Sequence, residues 1–540
     1  MKTITFSRMA KWSSALALGT ILAACGNQDN TAGDVEVNQT GWPIVNEEIT
    51  LSMMAPGMGL ADWADMPFFE YLNAETGINW TFTTPPSADF ATNLNLSLAA
   101  MDLPDVIFGG NVEAAMQAEF GSEGVFIPLE ELIENYAPNL YAMLEQNPDI
   151  RRSITAPDGH IYALPTFQRS TESYWPFGPA WFNGSFLDAL DADVPTTLDE
   201  FTELMLRMAN EEPAGPGVTV FPISDGNQLT WLRQLLLAPF GLTSRNLEEF
   251  DGVVQHNATS DNYRAYLEWM NMAMREGILH PEIFSLSNEA NSALGQNNQV
   301  GLFTSWYSMF FLAQNEIEAL NNPLFGPLTS EWAPEPVILR SPRVSVGTFI
   351  ITSANPNPAA TMRWVDFFFS EEGAYFSNFG PWGAFAEWAT NDAGEEVLVY
   401  SDAVDLDDIG SFRGRVTPFW GFPAPGVQMD WTPVRHDPND EMDTRFREFI
   451  ASETARVFEA HGKVPMPPIM LLPEEADALS LITADLNTFL DQQEAAFITG
   501  NQALNDETWA QFQATLVQIG VEDMVEIWQT AYDRWVAAGE

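Results

Sequence analysis

The sequence predicts an α/β protein of two lobes joined by hinge strands, with a mostly helical C-terminal part. Three observations carry this expectation. Short apolar runs alternate with helical patterns from residue 49 onward, which reads as parallel strands with right-handed crossovers. A second unit of the same kind follows residue 166, and roughly 490 residues beyond the N-terminal segment are too many for one core. Residues 343–355, "RVSVGTFIITSAN", form one extended run long enough to pass between two lobes.

The elements follow in order. "ITLSMMAP" (49–56) is short, apolar and ended by proline, as a buried strand should be. "MPFFEYLNAETG" (66–77) has apolar residues at helical spacing and a glycine where a C-cap belongs. "INWTFTTPP" (78–86) is a strand stopped by prolines, residues 88–102 a helix and "PDVIFGG" (104–110) a strand. Residues 129–148 read as helical, and Asp158-Gly159 as a hairpin turn before an exit near Pro165. In the second unit, Thr197 and Glu200 form a capping box that opens a helix. Residues 217–224 and 299–306 are strands around a long helix at 260–277. A helix with Pro358 in its first turn follows the hinge run, and residues 474–499 and 505–538 are helical. The expected lobes are therefore 49–165 plus about 346–400, and 166–345 plus about 401–540.

The N-terminus carries a different signal. Lys2, Arg8 and Lys11 precede an apolar run over 15–24 that is too short to span a bilayer, which needs about 20 residues. A basic start, a short apolar middle and small residues read as a secretory signal over 1–24. Leu22-Ala23-Ala24 directly before Cys25 resembles the lipobox of bacterial lipoproteins. That resemblance implies that the Cys25 sulfur receives diacylglycerol and that the chain is held on the outer face of the membrane through lipid alone. Cys25 is the single cysteine, so no intramolecular disulfide can form. Residues 25–48 are polar and are expected to be a flexible tether. No later stretch approaches 18 uninterrupted apolar residues.

Composition excludes several classes. Seventy-five acidic residues face 22 basic ones, a formal net charge of -53, so the basic footprint that nucleic acid needs is missing. Only Lys2, Lys11 and Lys463 are lysines, and arginine keeps its charge at a pH where lysine loses it. An acidic, lysine-poor surface suits a salty or alkaline exterior, where salt screens self-repulsion. Runs such as 405–408 and 437–443 then read as solvated surface. The five histidines show no H-x-H or H-E-x-x-H spacing, and no metal or other cofactor is expected. "DLDDIG" (405–410) echoes a calcium loop but lacks the glutamate at the twelfth position. A secreted carbohydrate-active enzyme would need a specific carboxylate pair, which 75 carboxylates make uninformative, and no supported G-x-S-x-G elbow is present.

Several stretches together resemble the extracellular solute-binding lipoproteins of ABC importers, in the carbohydrate-binding group related to maltose-binding protein. They include "WADMPFFEYLNAETGINWTFTTPP", "NLSLAAMDLPDVIF", "DGHIYALP", "YLEWMNMAMREGILHPEIF" and "FIITSANPNPAATMRWVDFFFSEEG". The resemblance implies a type II-like periplasmic-binding-protein fold, monomeric, with an oligosaccharide held between lobes and delivered to membrane permease subunits.

Strand ends nominate the binding residues, since ligands of open parallel sheets sit outside the carboxyl ends. The first lobe offers Asp62 and Trp63, then Gly110 and Asn111. The hinge exit offers Gln168, Tyr174 and Trp175; the second lobe offers Asp225, Asn227, Trp231, Trp306 and Tyr307. Arg233 and Arg343 are the nearest cations, and Trp382 lies in "GPWGAFAEW". Rings for C–H faces beside hydroxyl-pairing groups suit a sugar. Asp62 and Asp225 read equally as turn or cap residues, and any of the tryptophans could belong to the core. An aromatic cleft also fits an extended peptide whose termini pair with Asp62, Asp225, Arg233 and Arg343.

Overall fold

The computed structural model describes residues 35–539, apart from residues 227, 228, 407, 420–423, 432, 435, 436 and 440. The signal segment, Cys25 and Asn227 lie outside the described residues. The strands that position the site are β1 (Ile49–Met54), β2 (Ile78–Thr83), β3 (Val106–Phe108), β4 (Leu164–Gln168), β5 (Ala180–Phe182), β6 (Phe221–Ile223), β7 (Val300–Thr304), β8 (Val344–Ile351) and β9 (Gly426–Gln428).

The first sheet has the order β9-β4-β8-β3-β1-β2. β1 pairs parallel with β2 (Ile49 opposite Ile78) and with β3 (Met53 opposite Val106). These three strands are parallel, as the sequence predicts, but the full sheet is mixed, because β8 returns from the second unit and runs antiparallel to both β3 and β4. Helices cover both faces, as strands of this kind require. One face buries Phe68, Phe69, Leu140 and Trp364, the other Phe90, Leu94 and Leu98. Each such side chain contributes roughly 1.5–3 kcal/mol on burial. Gly77 ends the helix Pro67–Thr76 in left-handed backbone, as its C-cap position predicts.

The second sheet has the order β5-β7-β6, with β6 and β7 parallel. Thr197 and Glu200 make the expected reciprocal cap of the helix Leu198–Asn210. The second core joins Trp181, Phe182, Phe201 and Leu302 to C-terminal helix residues Leu486, Leu490 and Phe497. The long helical stretches at 129–148 and 505–538 are cut where the sequence supplies breakers. Pro138 separates the helices Glu130–Tyr136 and Pro138–Gln146, and Gly520 separates Asp506–Ile519 from Val521–Ala537.

Two expectations are corrected. Residues 35–48 are packed rather than a loose tether. Ile44 and Val45 are buried, the Trp42 ring lies 5.0 Å from Phe367, and Arg363 donates to the carbonyls of Asn38 and Gly41. The apolar residues dispersed among polar ones give this segment a face to bury. Phe419 and residues 424–428, expected in the second unit, do not join it either. β9 pairs parallel with β4, and Phe419, Ala424 and Val427 pack in the first core.

The units are knitted where chain segments cross between them. Gln168 N–H donates to Arg343 O (3.0 Å), Arg169 N–H to Gln428 O (2.8 Å) and Ser341 N–H to Tyr174 O (2.9 Å). These three bonds tie the end of β4, the start of β8 and the end of β9 into one hinge region.

Candidate functional site

The carboxyl ends of β6 and β7 lie side by side. Thr304, last in β7, donates its hydroxyl to Asp225 Oδ1 (3.3 Å), just beyond β6. Asp225 is buried, so it orders the strand ends instead of presenting a free carboxylate. The next residues of β7 form a fixed turn. Ser305 O accepts from Trp181 Nε1 (2.9 Å), and Ser305 Oγ donates to Tyr307 O (2.7 Å).

Around this turn the aromatic side chains form backed pairs. Trp306 is 47% exposed and meets the edge of buried Trp175 at 5.4 Å. Trp231 is 38% exposed and lies nearly parallel to Phe177, 5.7 Å away. Trp175 and Phe177 belong to one short segment. A Cβ at the adjoining Gly178 would come within 2.8 Å of the Ser305 carbonyl carbon and 3.0 Å of Trp306 N, so only glycine lets this segment approach so closely. Trp175 is itself anchored by its Nε1 to Thr454 Oγ1 (3.0 Å). Two partly exposed indole faces are thus held rigid from behind.

Polar groups complete the margin. Tyr307 Oη donates to Glu172 Oε1 (2.8 Å). Burial pushes the Glu172 carboxyl above its ordinary range, partly offset by the Tyr307 hydrogen bond, and burial beside that carboxylate also raises the Tyr307 phenol. Arg343 has left-handed backbone (φ 61°) at the hinge crossing. Its Nε donates to Ser173 Oγ (2.9 Å), its Nη1 to Tyr174 Oη (2.9 Å), and the guanidinium lies 4.1 Å from the Tyr174 ring centroid. Gln168 Nε2 donates to Ser345 Oγ (3.3 Å) across β4 and β8.

The sequence candidates therefore separate. Gln168, Tyr174, Trp175, Asp225, Trp231, Trp306, Tyr307 and Arg343 gather at the hinge exit and second strand ends. Asn111 is exposed at the end of β3 in left-handed backbone (φ 47°), which asparagine tolerates. Asp62 is a cap, accepting from Ala64 N–H (3.1 Å). Trp63 is a core residue stacked on Phe69 at 5.6 Å, and so presents little surface to a ligand. Trp382 is half exposed and lies flat on Tyr375 at 3.8 Å, above a separate small core with Phe379 and Phe385. Arg233 points into the protein and pairs with buried Glu494, because its place in the helix Thr230–Leu236 is on the buried side. Glu172, Phe177 and Phe310 were not singled out from the sequence. Phe177 sits inside the quoted "YWPFGPAWF", but nothing in its spacing distinguishes a backing ring from core. Among the described residues no cluster of three or more metal-ligating side chains occurs.

Two α/β units joined by crossing strands, with stacking and hydrogen-bonding groups at strand carboxyl ends, define the two-lobed solute-binding class of protein. The chain belongs to the bacterial extracellular solute-binding protein family, whose model matches residues 59–375. It is 25% identical over 556 residues, covering 99% of both chains, to the fructooligosaccharide ABC transporter substrate-binding protein FusA of Streptococcus pneumoniae. The structure of FusA in complex with kestose superposes with a TM-score of 0.70 at 23% identity, covering 91% of this chain and all of that one. An HMO-binding, ABC-transporter-associated solute-binding protein from Bifidobacterium longum infantis superposes with a TM-score of 0.74 at 20% identity. It covers 91% of this chain and 99% of its own. Among the described residues no helix is long and apolar enough to cross a membrane.

Proposed function

We propose that this protein captures an extracellular oligosaccharide between its lobes and delivers it to the membrane subunits of an ABC importer. In this reading lipid on Cys25 holds it at the outer membrane face, and the site binds and releases without chemistry. One observation carries the proposal: Trp231 and Trp306 hold partly exposed indole faces, each backed by a second ring, at strand carboxyl ends beside a hinge. Sugar C–H faces lie well on such rings, while hydroxyls pair with groups such as Gln168, Glu172 and Arg343. The FusA likeness supports the same ligand class. Ligand binding would favour one hinge arrangement by its differential affinity for it.

A thermal-shift panel of oligosaccharides and short peptides, run on the chain from residue 27 in high salt, tests this. A ligand that binds only the folded state stabilises it by mass action, by about 2.7 kcal/mol at a hundredfold excess over Kd, and so raises the melting temperature. The expected result is a rise with one oligosaccharide class, lost in Trp306→Ala. A rise with peptides alone would overturn the ligand class and leave the fold standing.

A further inference from the structure

We infer that Phe310 is a specificity-determining residue that forms an outer stacking subsite, favouring longer oligosaccharides over short ones. This rests on the oligosaccharide reading and adds a length preference to it. Phe310 lies in the short helix Ser308–Leu312, which follows directly from the carboxyl end of β7. That helix turns Phe311 and Leu312 into the second core and leaves Phe310 63% exposed, more than Trp306 or Trp231. So large an apolar surface gains nothing for folding if it stays in water.

Its neighbours give it a place. Phe310 N–H donates to Tyr307 O (3.2 Å), and the turn brings its ring to 5.7 Å from the Tyr307 ring. Tyr307 in turn meets Trp175 at 5.8 Å, and Trp175 backs Trp306. The exposed rings of Trp231, Trp306 and Phe310 are therefore each backed from behind, by Phe177, Trp175 and Tyr307. Phenylalanine offers a face and no hydrogen bond. It can accept a further sugar ring without reading its hydroxyls, so it senses chain length more than identity.

Titration calorimetry of wild type, Phe310→Ala and Phe310→Trp tests this with fructo-, malto- and xylo-oligosaccharides of two to six units. In the series that binds, Phe310→Ala should weaken ligands of four or more units about 5–10-fold, leaving two-unit ligands within about twofold. Phe310→Trp should keep the long-ligand affinity. An equal loss at every length would assign Phe310 a purely structural role, and no loss at any length would place it off the ligand; either overturns the subsite. Failure of the wild type to bind any series overturns the oligosaccharide reading, and the subsite with it.

Discussion

Arg233 Nε lies 2.5 Å from Glu494 Oε1 inside the second core, joining the helix that carries Trp231 to the long C-terminal helix Pro473–Thr499. Tyr263 Oη donates to the other carboxylate oxygen (2.7 Å), and Arg245 Nη1 reaches it at 3.3 Å. Burial alone would push the Glu494 carboxyl up, but the two guanidiniums outweigh it and hold the group below its ordinary range. A buried ion pair adds little over a well-packed apolar one, yet breaking it strands charge in a low-dielectric site. Glu494→Gln should therefore lower unfolding free energy by about 3–5 kcal/mol. It should also weaken ligand binding, because the helix bearing Trp231 loses its anchor. Denaturant midpoints measure the first effect, and a loss below about 1 kcal/mol would mean that Asp491, 2.6 Å from Arg245 Nη1 and 4.0 Å from Arg233 Nη2, suffices to balance the two arginines.

His256 gives a pH prediction with a definite sign. Burial, helped by nearby Arg245, lowers its imidazole from 6.5 to about 4. Between those values the unfolded chain binds the proton and the folded one does not, so stability falls as pH drops through the window. The full contribution is present above pH 6.5 and is worth about 3 kcal/mol, lost by pH 4. Glu172 acts in the opposite direction, because its raised pKa favours the folded state only while the carboxyl is protonated. His256→Leu should flatten the acid slope of the melting temperature between pH 4 and 6.5. A slope unchanged by the substitution would assign it to carboxylates.

Much of this architecture could be read from local chemistry. The Thr197–Glu200 cap, the Gly77 stop and the β1–β2–β3 strands depend on residues close in sequence, and all stand where the pattern put them. What failed depended on distant pairing. Residues 426–428 join the edge of the first sheet beside β4, from more than 250 residues away, and their composition carries no trace of that partner. The site was legible to the same extent. Strand ends placed Trp231, Trp306 and Tyr307, but a strand end does not say whether an indole turns inward. Trp63 and Arg233 turn into their cores, while Trp231, two residues before Arg233, turns outward.

The C-terminal helix makes a contact that sequence distance hides completely. Val521–Ala537 begins in the second core through Val521 and Met524. Its end lies on the helix Pro148–Ser153 of the first unit, with the Arg152 guanidinium 3.7 Å from the Trp535 ring centroid and Nη1 donating to Trp535 O (3.1 Å). Arg152 also pairs with Asp149. Cation–π contacts contribute about 0.5–2 kcal/mol depending on exposure. Arg152→Ala should free the last turn of the helix, visible as faster amide exchange at residues 531–537, with little change at 521–526. Uniform protection across the helix would show that Trp535 is held by packing alone.

The charge of -53 makes salt the simplest global test. Many of the described cations are already engaged by carboxylates, among them Arg207 with Glu211, Arg264 with Asp506, Arg456 with Glu453 and Arg534 with Glu475. The acidic excess therefore has no protein counter-charge and repels itself across the folded surface. Exposed ion pairs contribute only about 0–1 kcal/mol each and weaken with salt, so their loss is small beside the relief of repulsion. The melting temperature should rise as sodium chloride is added from millimolar levels. Most of that rise should fall below about 0.5 M, since the Debye length shrinks from about 30 Å at 0.01 M to 8 Å at 0.15 M. A further rise at molar concentration that is larger in sulfate than in chloride at equal ionic strength would come from stronger apolar burial instead. A curve flat from 0.01 to 0.5 M would show that the acidic surface imposes no cost on folding, and would remove the physical reason for expecting a saline setting.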